Sequence, residues 1–434
     1  MNEKDLAKYL RERKALVVDF TSSRSSIRRL LSQSGMKSSN VDIAENWKEA
    51  EEKIRTTSPE IVFAEYAMAE RSGLELLPIL REKIPNRLNV TFFVLADSNS
   101  TTVASAVAEE EADSLLFRPF SFGELQKTFM DVIDRKVSPS PSTRLIEDGR
   151  AFRDAGKFDE ALSALTKAKV ADPTAGSPYF EEGMLYKKFN DSGKARSSFE
   201  GGLKISPTHY KCLTGLLDLL LEQSEKDQAY EVACILTKNF PIPPKRIPDL
   251  VRLSVVNYKY EDILNYYELF SKIGSVEESL VTTISAGLVI CGKYLLREGN
   301  RHGAASALKR ALEVCQGKSQ IWSTVLETYI AAGMLNEAQA AFKNLPDDLR
   351  KVPEFRVLDL TMLNMNSPAM LVVQLSENLL REGITSAGVY EVLIARAIEV
   401  GRKAQWVEPF VEDACRAHPQ KSEHFKKLFE KYTA

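Results

Sequence analysis

GRAFRDAGKFDEALSALTKAKVADP (149–173) and GMLYKKFNDSGKARSSFEGGLKISP (183–207) are two copies of one pattern. Gly149 and Gly183 lie 34 residues apart, as do Ala161, Ala195 and Ala229, and Pro173, Pro207 and Pro241. A fixed period of this length marks stacked helical units, none of which can bury its apolar face alone. One unit runs Gly149, Phe152, Gly156, Ala161, Leu165, Ala168, Pro173; the next runs Gly183, Tyr186, Ala195, Phe199, Gly202, Pro207. Two antiparallel helices cross closely where one presents a small side chain and the other a large one. Gly156 is placed to end a first helix, and Pro173 to stop a second.

The pattern resembles the tetratricopeptide repeat, specifically over 142–241. It weakens over 244–274, where prolines crowd the start of a unit. It returns as Gly292, Gly299, Ala304, Leu308, Ala311 and as Trp322, Tyr329, Gly333, Ala338, Phe342, then degenerates after Pro353. Roughly seven or eight helix pairs fit the length. The charged stretch 421–434 suits a capping helix with a polar outer side. In such an array the first helix of each pair lines the concave face. There Arg150, Arg153, Phe180, Met184, Lys187, Lys188 and Lys211 are the candidate groove, five cations around two apolar residues. That chemistry suits an extended acidic peptide with hydrophobic anchors. Ile146 and Arg150 stand where some repeat proteins of this family place a carboxylate clamp of Lys and Asn, which disfavours that ligand.

Upstream of residue 140 the pattern changes. Short runs rich in Val, Leu, Ile and Phe (15–20, 61–65, 91–96 and 115–117, with a further one at 41–44) alternate with helical segments. Strand–helix alternation predicts a five-stranded parallel sheet covered on both faces. The stretch KVSPSPSTR (136–144) reads as a hydrophilic linker. The expected organisation is therefore α/β plus all-α: a doubly wound domain over 1–135, a Ser/Pro linker over 136–144, a helical solenoid over 145–420 and the cap over 421–434.

LVVDF (16–20), SPEIVFAEYAMAERSGLELL (58–77) and AVAEEEADSLLFRPF (106–120) resemble, in order and spacing, a response-regulator receiver domain. The resemblance implies a site at the carboxyl ends of the strands, where paired acids hold Mg²⁺, an Asp accepts phosphate, and a hydroxyl and a Lys grip its oxygens. Here Glu65 stands at the phosphoacceptor position, its extra methylene moving the carboxylate by about 1.5 Å where errors of that size are severe. Asp19 alone represents the acid pair, Leu95 stands where the hydroxyl belongs, Arg118 replaces the Lys, and Leu115 takes the aromatic switch position. Glu65, Asp19 and Arg118 are expected to meet as a buried ion pair with a bidentate contact, a pseudo-receiver site.

Charge excludes some roles. Lys and Arg number 58 against 60 Asp and Glu, net −2, so no overall field draws the chain to nucleic acid. Five scattered cysteines without a C-x-x-C pair suggest a reducing, cytoplasmic setting. The charged start lacks the apolar core of a signal peptide, and no membrane span is expected. The four histidines have no ligand spacing, and phosphate-loop, dinucleotide and zinc-helix motifs are missing from the sequence. No metal, cofactor or catalytic residue is expected. The expected function is a non-catalytic bacterial signalling scaffold that binds proteins through its repeats, with the receiver-like domain as an interaction or homodimerisation module. The alternative is a phosphorylation-responsive regulator with a repeat output domain.

Overall fold

The computed structural model describes residues 3–69, 71–97, 101–271, 273 and 278–430. Five strands, β1 (Ala15–Val18), β2 (Val41–Ala44), β3 (Ile61–Glu65), β4 (Thr91–Ala96) and β5 (Ser114–Phe117), form one sheet in the order β2-β1-β3-β4-β5. Every pairing is parallel. The helices are α1 (Glu3–Leu10), α2 (Ser23–Gln33), α3 (Trp47–Thr57), α4 (Leu76–Lys83), α5 (Thr101–Glu110) and α6 (Phe122–Val137). Alternate strand residues point to opposite faces, so each strand feeds two cores. Leu16, Val18, Val62, Val94 and their neighbours pack under α3, α4 and α5. Ala15, Val17, Phe63, Phe93 and Leu95 pack under α1, α2 and α6. Phe63 and Phe93 are register partners on adjacent strands, and their rings stack at 4.4 Å. β1 stops at Val18, two residues short of the run read from sequence, which places Asp19 and Phe20 in the loop at the strand's carboxyl end.

The stretch 136–144 is mostly helix. α6 continues to Val137, and α7 (Pro141–Asp154) starts after three intervening residues. Ser140 is the N-cap of α7, its hydroxyl accepting from the Thr143 amide at 3.1 Å, and Pro141 holds the first helical position. Proline there costs no hydrogen bond, since that amide has no partner within the helix. Serines and prolines that read as a linker are thus a helix start, and only 138–140 lie outside helix.

The repeats follow as α7 and α8 (Phe158–Ala171), α9 (Ser177–Lys188) and α10 (Ser192–Ile205), α11 (Tyr210–Glu222) and α12 (Lys226–Asn239), then α13 (Ile247–Val256). The close approach expected of the small residue is real: a Cβ on Gly183 would lie 2.3 Å from the Phe199 ring. Gly156 ends α7 with φ +75°, a left-handed conformation that glycine takes without Cβ strain. The sheet domain and these helices, through Tyr258, belong to one compact unit.

A second unit holds residues 259–267 and the helices from Glu278 onward. Its helices are Glu278–Arg297, Arg301–Val314, Ser319–Ala331, Leu335–Lys343, Pro353–Asn366, Ala369–Arg381, Ala387–Glu399, Ala404–Ala417 and Ser422–Glu430. Helix pairs continue past Pro353 although the sequence pattern fades, because apolar positions such as Val373, Leu393 and Val407 still build a core. The closing helix buries Phe425 completely and turns its charged residues outward; residues 431–434 of the expected cap lie outside the described residues. Among the described residues one helix, Glu278–Arg297, is long and apolar enough to cross a membrane by length and composition. Ile284, Leu288, Cys291 and Leu295 on it are buried within the unit.

Candidate functional site

The carboxyl ends of β1, β3 and β5 bring together Asp19, Glu65 and Arg118, whose side chains are 0%, 8% and 10% exposed. Arg118 Nη2 donates to Glu65 Oε1 at 2.7 Å, and Nη1 donates to Asp19 Oδ1 at 3.2 Å and to Thr21 Oγ1 at 2.7 Å. Its Nε lies 2.8 Å from Asp97 Oδ1 at the end of β4. The guanidinium therefore bridges two buried carboxylates, one nitrogen to each, where a two-point grip on a single carboxylate was expected. Backbone pairing fixes its position: the Arg118 amide donates to the Ala96 carbonyl at 2.7 Å, extending the β4–β5 ladder.

Asp19 is held by its own loop. Its Oδ1 accepts from the amide and hydroxyl of Thr21, both at 2.8 Å, and its Oδ2 accepts from the Ser23 hydroxyl. An Asp bonding the backbone two residues on is a local turn motif that orients the side chain. The Phe20 amide donates weakly to Glu65 Oε2 at 3.4 Å. Leu95 is the register partner of Glu65 and is fully buried in the apolar core. Leu115 is half-buried on the other face. Thr21, Ser23 and Asp97 are site residues that the sequence reading missed; the T-x-S after the strand-end Asp was the signal for the first two.

A family model for the response regulator receiver domain matches residues 15–130. The match spans the whole sheet domain, which is similar to receiver domains. A tetratricopeptide repeat model matches residues 177–209, the span of α9 and α10. Among solved structures, a response regulator receiver domain protein from Clostridium thermocellum is 23% identical, covering 29% of this chain and 97% of its own, with a TM-score of 0.25. A chemotaxis response regulator of Vibrio cholerae is 22% identical, covering 28% of this chain and 98% of its own, with a TM-score of 0.25. A tetratricopeptide repeat protein from Parabacteroides merdae is 16% identical, covering 58% of this chain and 97% of its own, with a TM-score of 0.29. A comparison with curated proteins finds no match.

A receiver's Mg²⁺ needs several oxygen ligands at short, strict distances. The residues here do not fit it. Both buried carboxylates are committed to donors, and a guanidinium nitrogen stands beside each. Among the described residues no group of three or more His, Cys, Asp or Glu is arranged to hold a metal ion.

The groove candidates lie on α7, α9 and α11, and their cations are paired within the chain. Arg150 Nη2 lies 2.6 Å from Glu181 Oε1, and Arg153 Nη1 lies 2.6 Å from Glu181 Oε2. Glu181 is buried between them. Lys187 bonds Glu222 at 2.6 Å, and Lys188 donates to the Arg153 carbonyl at 2.7 Å, capping the end of α7. Phe180 packs on Phe199 at 6.0 Å and Met184 is half-buried. Lys211 Nζ sits 5.9 Å from the Phe180 ring and donates to the Glu109 carbonyl at 2.5 Å. Burial lowers its ammonium below the ordinary value, with Glu111 and Glu109 opposing. Sequence reasoning missed the acids: Glu147, Glu181, Glu109 and Glu111 face these cations.

Proposed function

We propose that this protein is a non-catalytic signalling adaptor whose receiver domain does not transfer phosphate. A receiver domain joined to tetratricopeptide repeats makes a signalling protein with a protein-interaction region. The observation that carries the finer reading is Arg118, whose guanidinium takes the place between Asp19 and Glu65 where a phosphoryl group and its cation would act. Breaking a buried ion pair of this kind costs roughly 3–5 kcal/mol, which favours one state of the domain.

The repeats bind protein partners, and the receiver domain serves as an interaction or self-association module. The pairing of these two domain types supports a reading as a bacterial signalling protein of the cytoplasm. The groove of Arg150, Arg153, Phe180, Met184, Lys187, Lys188 and Lys211 favours acidic segments with apolar anchors. Calorimetric titration of the full chain with Mg²⁺ tests the locked site: no saturable heat is expected, and stoichiometric binding abolished by Asp19→Asn would refute it. Affinity capture by the full chain tests the repeats independently; partners lost on Lys187→Glu with Lys188→Glu support the groove, and unchanged partners remove it.

A further inference from the structure

Of three consecutive glutamates, Glu109 and Glu110 close α5 and Glu111 follows it, and they turn into the repeats instead of into solvent. Glu109 accepts from both Nε (3.2 Å) and Nη2 (2.7 Å) of Arg246, and from the hydroxyl of Tyr210. Lys245 Nζ stands 3.3 Å from it and also pairs with Glu110. Its main-chain carbonyl accepts from Lys211 Nζ at 2.5 Å. Glu111 lies 3.6 Å from Arg150 and 3.8 Å from Lys211.

The receiving residues come from different repeats: Arg150 on α7, Tyr210 and Lys211 at the start of α11, and Arg246 in the turn that leads into α13. One acidic turn thus satisfies an Arg fork, a Tyr hydroxyl and a Lys that reads a peptide carbonyl. These are the contacts by which a peptide would be read through both side chain and main chain. Glu111 holds φ +55°, a left-handed helix end normally given to glycine, so a carboxylate is presented where backbone preference would choose no side chain. Only residues 138–140 separate α6 from α7, so the acidic turn is tethered at high effective concentration.

We propose that the face built from Arg150, Tyr210, Lys211 and Arg246 is an acidic-peptide site whose resident ligand is the receiver's own Glu109–Glu111 turn. A partner carrying a short acidic run at a helix end binds by displacing it, and so releases the receiver domain from the repeats. The inference rests on the reading of the repeats as a partner-binding surface, and is independent of whether the receiver accepts phosphate.

The test uses the full chain and a fluorescent peptide copying residues 106–116, AVAEEEADSLL, followed by anisotropy. The chain carrying Glu109→Gln and Glu111→Gln is expected to bind it about ten-fold or more tightly than wild type, because the tethered competitor is weakened. Adding Arg246→Gln to that chain abolishes binding, and the peptide AVAQQQADSLL binds neither. Equal binding by wild type and the double variant, or by the two peptides, overturns the proposal. A second measurement covers loss of folding in the variants: excess AVAEEEADSLL added to wild type is expected to speed amide exchange in α5, and unchanged exchange overturns it. Neither failure touches partner capture dependent on Lys187 and Lys188, which would still stand on the remainder of the array.

Discussion

Arg246 Nη2 stands 2.7 Å from Glu109 Oε1, with the two side chains 11% and 4% exposed and 137 positions apart in sequence. Arg246 also pairs with Asp218 on α11, so one guanidinium ties the receiver domain to two repeat elements. Removing one partner of a buried pair leaves an uncompensated charge, which costs more than the pair contributes.

Arg246→Ala is therefore expected to destabilise the first unit by roughly 3–5 kcal/mol. Glu109→Gln, which keeps a hydrogen-bonding side chain, costs less. Chemical denaturation of both single variants and the double variant checks this. The double variant is expected to be more stable than the sum of the two losses predicts, by about 1 kcal/mol or more, since the residues share one network. Strict additivity would show that the contact contributes no coupling.

The same reasoning applies to the strand-end site. Arg118→Ala leaves Asp19 and Glu65 buried without a counter-charge, and a loss of roughly 3–5 kcal/mol is expected. Arg118→Lys recovers only part of it, because a single ammonium cannot reproduce the fork that reaches two carboxylates. Thermal unfolding should rank wild type above Arg118→Lys above Arg118→Ala. A lysine variant equal to wild type would mean that the fork is unimportant.

Acid should loosen the contact between receiver and repeats. Burial alone would raise the Glu111 carboxyl, but Lys211, Arg87 and Arg150 outweigh it and hold it at about 2, below its ordinary value of 4.5. Glu109 is lowered as well: burial opposes, and Arg246, Tyr210 and Lys245 prevail. A depressed carboxylate stabilises the fold fully above its unfolded value and loses that contribution as pH falls through the folded one. The stability difference between wild type and Glu111→Gln is thus expected to be flat above about pH 4.5 and to shrink from there towards pH 2. A difference that does not change with pH contradicts the assignment.

Two glycines of the first repeats separate packing from backbone strain. Gly183→Ala forces a methyl into the Phe199 ring and should cost about 1–3 kcal/mol by overpacking. Gly156→Ala meets nothing within 4 Å and should cost about 1 kcal/mol, from its φ of +75° alone. Denaturation midpoints check the order. Phe199→Leu is expected to rescue the Gly183 variant and leave the Gly156 variant unaffected.

The elements were legible where local pattern and burial agree. Ile61–Glu65 and Thr91–Ala96 are apolar runs bounded by polar residues, and both are strands as read. The 34-residue spacing of small and large residues located the crossing at Gly183 and Phe199. Ser140 and Pro141 misled because serine and proline punctuate both linkers and helix starts; the difference lies in whether an apolar helical face follows, as Ile146 does here. At the strand ends, Asp19, Glu65 and Arg118 were readable as a cluster, but the division of the guanidinium between two acids depends on loop geometry set by Thr21 and Ser23.

The groove shows what single positions conceal. Its cations sit on the helices named from sequence, yet Arg150 and Glu181 are 31 residues apart and Lys187 and Glu222 are 35 apart. Separations near one repeat length place side chains on neighbouring first helices, so that pairing was available to a reading that paired charges across the period. Glu109 and Arg246 share no such period, because one lies in the sheet domain. Only tertiary structure joins them.

Arg118 fills the space between Asp19 and Glu65, and the proposed function requires that neither carboxylate accept phosphate. Intact mass of the full chain after incubation with a small phosphodonor and Mg²⁺ tests it most directly. The account predicts an unmodified chain under conditions that phosphorylate an active receiver in the same tube. A stable phosphoryl adduct mapped to Glu65 would contradict it.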